Sequence, residues 1–172
     1  MTLTDYVLGR CSGASATVFC DGTKSKGGRE FKMRAHFVAA ITYATSAKVL
    51  AVINAYITAE NANLANWNST DPATEVAGIQ ATEQAANTFA SQIQGLNFRS
   101  SDVSDAKALV SAATVYAASL GSLAANVPTD SDYTEYNQIY NTSIIPDSSA
   151  LQAAVTTLGN DFGLSFTATP TP

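Results

Sequence analysis

Charged side chains are scarce in this sequence of 172 residues, because Asp, Glu, Lys and Arg together make up only 13% of it. An average globular protein has about twice that share, ~25%. Hydrophobic residues make up 46%, and a chain with little charge and ordinary apolar content is expected to fold. Its length predicts one domain with a core that needs neither a metal ion nor a disulfide. So little charge favours burial of part of the surface against other chains.

The residues that carry most enzyme chemistry are equally scarce, since the chain has one histidine, His36, and two cysteines, Cys11 and Cys20. Acid–base and nucleophilic catalysis draw mainly on these residues or on clustered carboxylates, and a structural zinc site needs about four ligands. The carboxylates are scattered, and no phosphate loop or EF-hand pattern is present. We therefore predict no catalytic residue, cofactor, metal or small-molecule substrate. An enzyme of unrecognised type is kept as an alternative.

The state of the two cysteines stays open at the level of sequence. Their C-x8-C spacing permits a local disulfide between Cys11 and Cys20. The first residues lack the basic and apolar segments of a signal peptide, so synthesis in the cytoplasm without secretion is expected. A reduced pair is then the default.

Glycine and proline are absent between Glu30 and Asn66, and apolar residues recur there at three- and four-residue spacing. This spacing predicts a long helix. The β-branched and hydroxyl residues at 42–46 lower helix propensity and could break it. The apolar positions that carry this prediction are Phe37, Val38, Ile41, Val49, Val52, Ile53, Tyr56 and Ile57.

Three further helices have recognisable start signals. Asp71-Pro72 combines a preferred N-cap with a residue suited to the first helical position. Asp102 or Ser104 can cap the next helix, which ends before Pro128, and Pro146-Asp147 opens the last. Residues 131–140 are predicted as a short helix or an ordered loop. The predicted fold is mainly α: a bundle of three main helices with one or two short ones.

Before and after this bundle the chain is irregular. Residues 1–29 hold five of the ten glycines and are predicted to form an N-terminal arm, irregular or with a short β-hairpin of 16–20 and 6–8. Residues 30–162 are predicted as the helical domain. Residues 163–172, which end in Thr-Pro-Thr-Pro, are predicted as an extended tail.

Charge is distributed unevenly along the chain. Residues 1–48 contain seven Lys or Arg and three Asp or Glu, a net charge of +4, whereas residues 49–172 have a net charge of −9. Nucleic-acid binding is not expected, since the whole-chain pI is 4.6 and no recognition motif is present. A basic arm docking on the acidic body of a neighbouring copy would close a ring or extend a filament. The interface candidates from this cluster are Lys24, Lys26, Arg29, Lys32 and Arg34.

Two long stretches have almost no charge. Lys48 is the only charged residue between Arg34 and Glu60, and none occurs in 108–129. A helix without a charged face is buried on most sides, faces a partner or spans a membrane. No membrane span is expected, because Ser, Thr, Asn and Gly dilute both stretches and flanking aromatic and basic anchors are missing.

Aromatic residues supply the remaining interface candidates. Tyr133, Tyr136 and Tyr140 are spaced for one helix face among polar neighbours, which is typical of a contact surface but also of a helix that covers the bundle. Trp67 lies at a predicted helix end, where it could anchor a loop to the core or belong to an interface.

Few charges, abundant Ala, Thr, Ser and Asn, and an arm at each end give a composition that resembles that of virion and other assembly proteins. The resemblance implies a structural subunit, such as a neck, tail or head-decoration component of a bacteriophage, whose partners are copies of itself and other structural proteins. The alternative is a monomeric binding module that uses the basic arm or the surface of Tyr133, Tyr136 and Tyr140.

Overall fold

The computed structural model of the protein describes residues 9–11, 18–21, 34–37, 42–67, 69–128 and 132–165. The chain divides into two compact units, residues 1–42 and residues 43–172. The boundary lies later in the sequence than the predicted junction at residues 29 and 30. It falls at the start of the 42–46 stretch, where the sequence indicated a break in the helix.

The described part of the first unit is an antiparallel meander of three short strands. They are β1 (Gly9–Cys11), β2 (Val18–Asp21) and β3 (Arg34–Phe37), in the order β1-β2-β3. The register places Cys11 opposite Val18 and Cys20 opposite Gly9, so the two cysteines are not direct cross-strand partners. The proposed strand partner at residues 6–8 lies outside the described residues.

The prediction of a helix from Glu30 is wrong at its start, because residues 34–37 form β3 and the helix begins later. Residues 34–37 pair with β2, and α1 spans Ser46–Trp67. Thr45 marks the start, because its hydroxyl oxygen accepts a hydrogen bond from the Lys48 backbone N–H and its carbonyl accepts one from Val49. The β-branched and hydroxyl residues before α1 favour such a cap over a continued helix.

The second and third helices follow the sequence signals. Helix α2 spans Pro72–Gln94, and its N-cap Asp71 accepts a hydrogen bond from the Thr74 backbone N–H. Helix α3 spans Val103–Ala125, with Asp102 at the N-cap position and Pro128 just beyond its end. The positions of both starts and of the end of α3 are therefore confirmed, but the Asp102 side chain makes no capping hydrogen bond.

The last part of the bundle is one continuous helical run. It consists of α4 (Thr134–Ile139), a π-helical turn (Tyr140–Ile144) and α5 (Ile145–Asp161). Proline has no N–H to donate and its ring clashes with the preceding turn, so it normally breaks a helix. Here the wider π turn directly precedes Pro146 and takes up the mismatch, as in other π-bulges. The tyrosine-rich segment is thus helical.

The core lies where α2 and α3 pack against each other, with α1 packed on α2 and α5 on α3. Ser46 also joins α1 to the end of α5, since its hydroxyl donates to the Phe162 carbonyl at 2.9 Å. The sequence prediction of a mainly helical bundle is confirmed for this unit. Its largest fully buried side chains are Phe89, Ile53, Ile79, Ile93, Leu109, Leu120, Leu123, Leu158, Val49 and Thr82.

Helices α1 and α2 approach closely at their connected ends. A Cβ atom at Gly78 would lie 2.6 Å from the Cβ of Asn66 and 3.3 Å from the Asn66 backbone carbon. Only glycine leaves room for the Asn66 backbone at this point. Nearby, the buried Trp67 Nε1 donates to the Thr82 hydroxyl at 3.1 Å.

Candidate functional site

The helical residues from 42 to 165 contain no histidine or cysteine. Among the described residues, no group of three or more metal-ligating side chains could hold an ion. The chemistry-bearing groups of this unit are therefore carboxylates and tyrosines. Two clusters in the structure combine tyrosines with a carboxyl group.

The first cluster is built around Glu60 in α1. Tyr56 donates its hydroxyl hydrogen to Glu60 Oε1 at 3.1 Å, and Tyr116 of α3 donates to the same oxygen at 3.5 Å. Tyr56 and Glu60 are four residues apart, so they share one helix face. These bonds link α1 to α3 through a single carboxyl group.

Burial dominates the protonation behaviour of this cluster. It raises the pKa of Glu60 above 4.5, although the two tyrosine hydrogen bonds act in the opposite direction. Burial, followed by the charge of Glu60, also raises the pKa of Tyr56 and of Tyr116. Both tyrosines therefore remain protonated donors. Tyr56 is 7% exposed and Tyr116 is 3% exposed, so the cluster packs α1 against α3.

Replacing Glu60 by Gln tests this assignment through pH. A raised pKa means that the folded protein holds its proton to higher pH than the unfolded chain does. The stability that this group contributes is therefore full below 4.5 and is lost as pH rises through the folded-state pKa. Gln keeps the acceptor oxygen but does not titrate. In urea unfolding, the stability of Glu60→Gln relative to the parent should thus rise between acidic and neutral pH.

The control for this experiment is Glu135→Gln, which removes one exposed carboxyl group from α4. It changes net charge by the same amount without touching the cluster. A stability difference between Glu60→Gln and the parent that stays constant with pH would contradict a desolvated carboxyl group at Glu60.

The second cluster joins Glu75 to the tyrosines that the sequence singled out. Glu75 lies in the first turn of α2 and is 4% exposed. Burial, followed by a hydrogen bond to Glu75, raises the pKa of Tyr136. The Tyr136 ring lies 5.6 Å from Tyr133, edge to face, and 6.5 Å from Tyr140, nearly parallel. The structure therefore brings all three predicted tyrosines together.

Only part of this tyrosine cluster faces solvent. Tyr133 is 36% exposed, whereas Tyr136 and Tyr140 are half-buried against the core. Tyr136 is thus tied to the bundle through Glu75, and Tyr133 is its outward edge. The cluster therefore covers part of the bundle, and a contact surface at Tyr133 stays a prediction.

The other predicted interface residues have different outcomes. Trp67 is buried and hydrogen-bonded to Thr82, which is the arrangement of an anchor for the end of α1. Arg34 lies in β3, where the register pairs it with Asp21. Lys24, Lys26, Arg29 and Lys32 lie outside the described residues, and their role stays a prediction.

Sequence reasoning missed a row of apolar residues on α1. Ile57 is 40% exposed and Leu64 is 38% exposed, while Leu50 is half-buried. These three residues, here called the α1 stripe, are spaced by seven and so lie along one side of the helix. In the sequence, Ile57 belongs to the same periodic apolar set as Val49, Ile53 and Tyr56. The regular spacing of seven, offset from the buried Val49, Ile53 and Tyr56, was the signal that separates the two rows.

The outward faces of α3 and α5 are also nearly free of charge. Along α3 no charged residue follows Lys107, and Val115 is exposed. The exposed charged residues of these two helices are Lys107 and Asp161. Their exposed uncharged positions include Ala108, Ser111, Thr114, Val115, Ala118, Ser122, Ala125, Ile145, Ser149, Ala150, Gln152, Ala153, Thr156 and Thr157.

Helix α3 is the one helix of the described residues that is long and apolar enough to cross a membrane. In this bundle it packs between α2 and α5. Leu109, Leu120 and Leu123 are completely buried there. Its apolar character therefore has an explanation in the core of the bundle.

A shallow depression of about 640 Å³ runs along the polar side of α2 and is open to solvent. Enclosed cavities are typical of small-molecule sites, and this depression is not enclosed. Its lining consists of Gln80, Glu83, Gln84, Asn87, Thr88, Ser91 and Gln92.

Comparison with known proteins gives no relative: no protein-family model, curated protein or solved structure matches the chain. The function must therefore be argued from the geometry. The most unusual property of the described helical unit is the combination of uncharged outer faces with exposed apolar side chains.

Proposed function

We propose that the protein is a non-enzymatic structural subunit that assembles with copies of itself or with neighbouring structural proteins. The observation that carries this proposal is the surface of α1, α3 and α5. Large apolar side chains stand there among small uncharged ones: Ile57 and Leu64 on α1, Val115 on α3 and Ile145 on α5.

Surface charge keeps a protein apart from its neighbours. A surface helix normally carries charged residues on its outer face, and soluble surfaces carry interspersed charges that oppose association. Helix α1 has only Lys48 and Glu60 as charged residues, and Tyr56 and Tyr116 bind Glu60. Burying such faces costs little desolvation of charge and removes apolar area from water.

A second contact is proposed from the charge distribution along the chain. Residues 1–48 have a net charge of +4 and residues 49–172 of −9. The cluster of Lys24, Lys26, Arg29, Lys32 and Arg34 would dock on the acidic body of another copy. Such a contact is heterologous, so repetition gives a ring or a filament. It is also electrostatic, so salt weakens it.

A more specific proposal is that the assembly is a virion, with this chain as a bacteriophage neck, tail or head-decoration component. Its support is the composition, which is low in charge and rich in Ala, Thr, Ser and Asn. The arm of residues 1–29 and the tail of residues 163–172 would then make contacts between subunits.

Deleting residues 1–29 tests the proposed function. The higher assembly should be lost in sedimentation velocity, while the helical signal in far-UV circular dichroism stays, because the bundle begins after residue 42. The matched variant reverses charge at Lys24, Lys26 and Lys32 and should weaken assembly in the same direction. A sedimentation profile that neither change alters would contradict the contact by the arm.

A second candidate function is a monomeric binding module, which the stacked tyrosines Tyr133, Tyr136 and Tyr140 favour. Tyrosine rings with one apolar face and one polar end are common in contact surfaces. This candidate predicts a monomer at all salt concentrations and a partner whose binding is weakened by Tyr133→Ala. The structural-subunit proposal instead predicts self-association, which Tyr133→Ala leaves in place.

A further inference from the structure

We propose that a second copy of the chain covers the α1 stripe, with the two α1 helices packed side by side and antiparallel. This inference rests on the proposed function and names one of its contact surfaces. The centre of the contact is Ile57, the middle of the 22-residue helix. A two-fold axis at Ile57 places Ile57 against its own copy and Leu50 of each chain beside Leu64 of the other.

The stripe is free because α5 covers only one end of this side of α1. Ser46, near the start of α1, contacts the end of α5 through the carbonyl of Phe162. Leu50, one turn further, is half-buried, whereas Ile57 and Leu64 are exposed. The distance from Leu50 to Leu64 is about 21 Å at ~1.5 Å per residue, which is the length of a short coiled-coil contact.

Charge selects a second copy as the occupant. Residues 43–172 contain three basic and eleven acidic side chains, so the helical units of two copies repel each other wherever their acidic surfaces meet. The side of α1 that carries the stripe is an exception. Lys48 lies nine residues, or two and a half turns, from Ile57 and is therefore on the opposite side of the helix. Glu60 is held inward by Tyr56 and Tyr116.

The polar neighbours of the stripe are self-complementary. Asn54 and Asn61 lie three and four residues from Ile57, beside it on the helix surface, and both are exposed. A carboxamide both donates and accepts hydrogen bonds, so Asn54 of one copy can pair with Asn61 of the other. The antiparallel direction also sets opposite helix dipoles side by side.

The size of the surface predicts a weak dimer. A stable complex buries about 800 Å² on each partner, and a single helix side with three apolar residues is smaller than that. The contact should therefore form reversibly at high protein concentration. It gains strength in an assembly, where other contacts hold the copies together.

Disulfide trapping in the full chain tests the contact and its direction. In a background with Cys11→Ser and Cys20→Ser, the Ile57→Cys variant should form a disulfide-linked dimer about tenfold or more faster than Asn87→Cys on the exposed side of α2, because proximity raises the effective thiol concentration. Leu50→Cys and Leu64→Cys should each cross-link poorly alone and well when mixed. Ile57→Asp should lower the weight-average mass, with far-UV circular dichroism unchanged.

Each other outcome overturns the inference in an identifiable way. Fast self-cross-linking of Leu64→Cys would show a parallel pair. An Ile57→Cys thiol that a small reagent cannot label in dilute protein would show that the chain's own N-terminal residues occupy the stripe. If the full chain assembles and Ile57→Asp leaves its mass unchanged, the contact at the α1 stripe is refuted while the proposed function stands. A chain that stays monomeric at all concentrations contradicts both.

Discussion

Phe89→Ala should lower the free energy of unfolding by about 3–5 kcal/mol, the largest effect that we expect from a single substitution. Phe89 lies in α2, is 1% exposed and stacks on Tyr56 of α1 with ring centroids 4.7 Å apart. Removing the ring leaves a cavity and frees Tyr56, which donates to Glu60. The midpoint of thermal unfolding should fall by roughly 6–20 °C.

The measurement is urea unfolding followed by far-UV circular dichroism at a protein concentration low enough to avoid association. Val115→Ala on the exposed side of α3 is the matched control, since it also truncates an apolar side chain and should change stability by less than about 0.5 kcal/mol. If Phe89→Ala lowered the free energy of unfolding no more than Val115→Ala does, the packing of α1 on α2 would be contradicted.

Gly78→Ala should destabilise the protein although alanine is the better helix former. The change gains about 1 kcal/mol of helix propensity. Its methyl group, however, would lie 2.6 Å from the Cβ of Asn66, with the Asn66 backbone just behind it. Backbone cannot move aside as a flexible side chain can, so α1 must shift, at a typical cost of 1–3 kcal/mol for overpacking. We expect a net loss of about 1–2 kcal/mol.

Gly95→Ala at the end of the same helix is the control for this prediction. The nearest atoms to a Cβ there are backbone oxygens at 3.5 and 3.6 Å, which is ordinary contact, and the backbone is in the right-handed helical region. Its stability should be unchanged or slightly higher in the same urea titration. Equal stability of the two alanine variants would show that α1 and α2 are not in close contact at Gly78.

Local sequence signals predicted the parts of the fold that local chemistry determines. The Asp71-Pro72 start of α2 depends on a cap and a proline that are adjacent in sequence, and both act as expected. The start of α1 at Ser46 was harder to place, because glycine and proline are absent before it. The hydroxyl and β-branched residues at 42–46 were the available sign of a boundary.

The two buried carboxyl groups could not be found from sequence. Glu60 receives a hydrogen bond from Tyr116, 56 residues away, and Glu75 receives one from Tyr136. In sequence both acids resemble the other scattered carboxylates. Their burial depends on how α3 and α4 pack, which no local pattern encodes.

The α1 stripe illustrates a different limit. Val49, Ile53 and Tyr56 form one apolar row and Leu50, Ile57 and Leu64 form another beside it on the same helix. Periodicity alone treats both rows as one broad apolar face. Which row faces the core depends on where α2 and α5 lie. Their position decides whether Ile57 packs in the core or lies on a contact surface.

Both proposed contacts require that the chain associates with copies of itself. The most direct test of this association is the weight-average mass of the unmodified full chain, measured by light scattering over a wide range of concentrations at low and at high salt. We predict a mass that rises with concentration above the 17.9 kDa of one chain, with the larger assemblies favoured at low salt. A mass that stays at 17.9 kDa throughout would contradict self-assembly and would leave the binding module as the better interpretation.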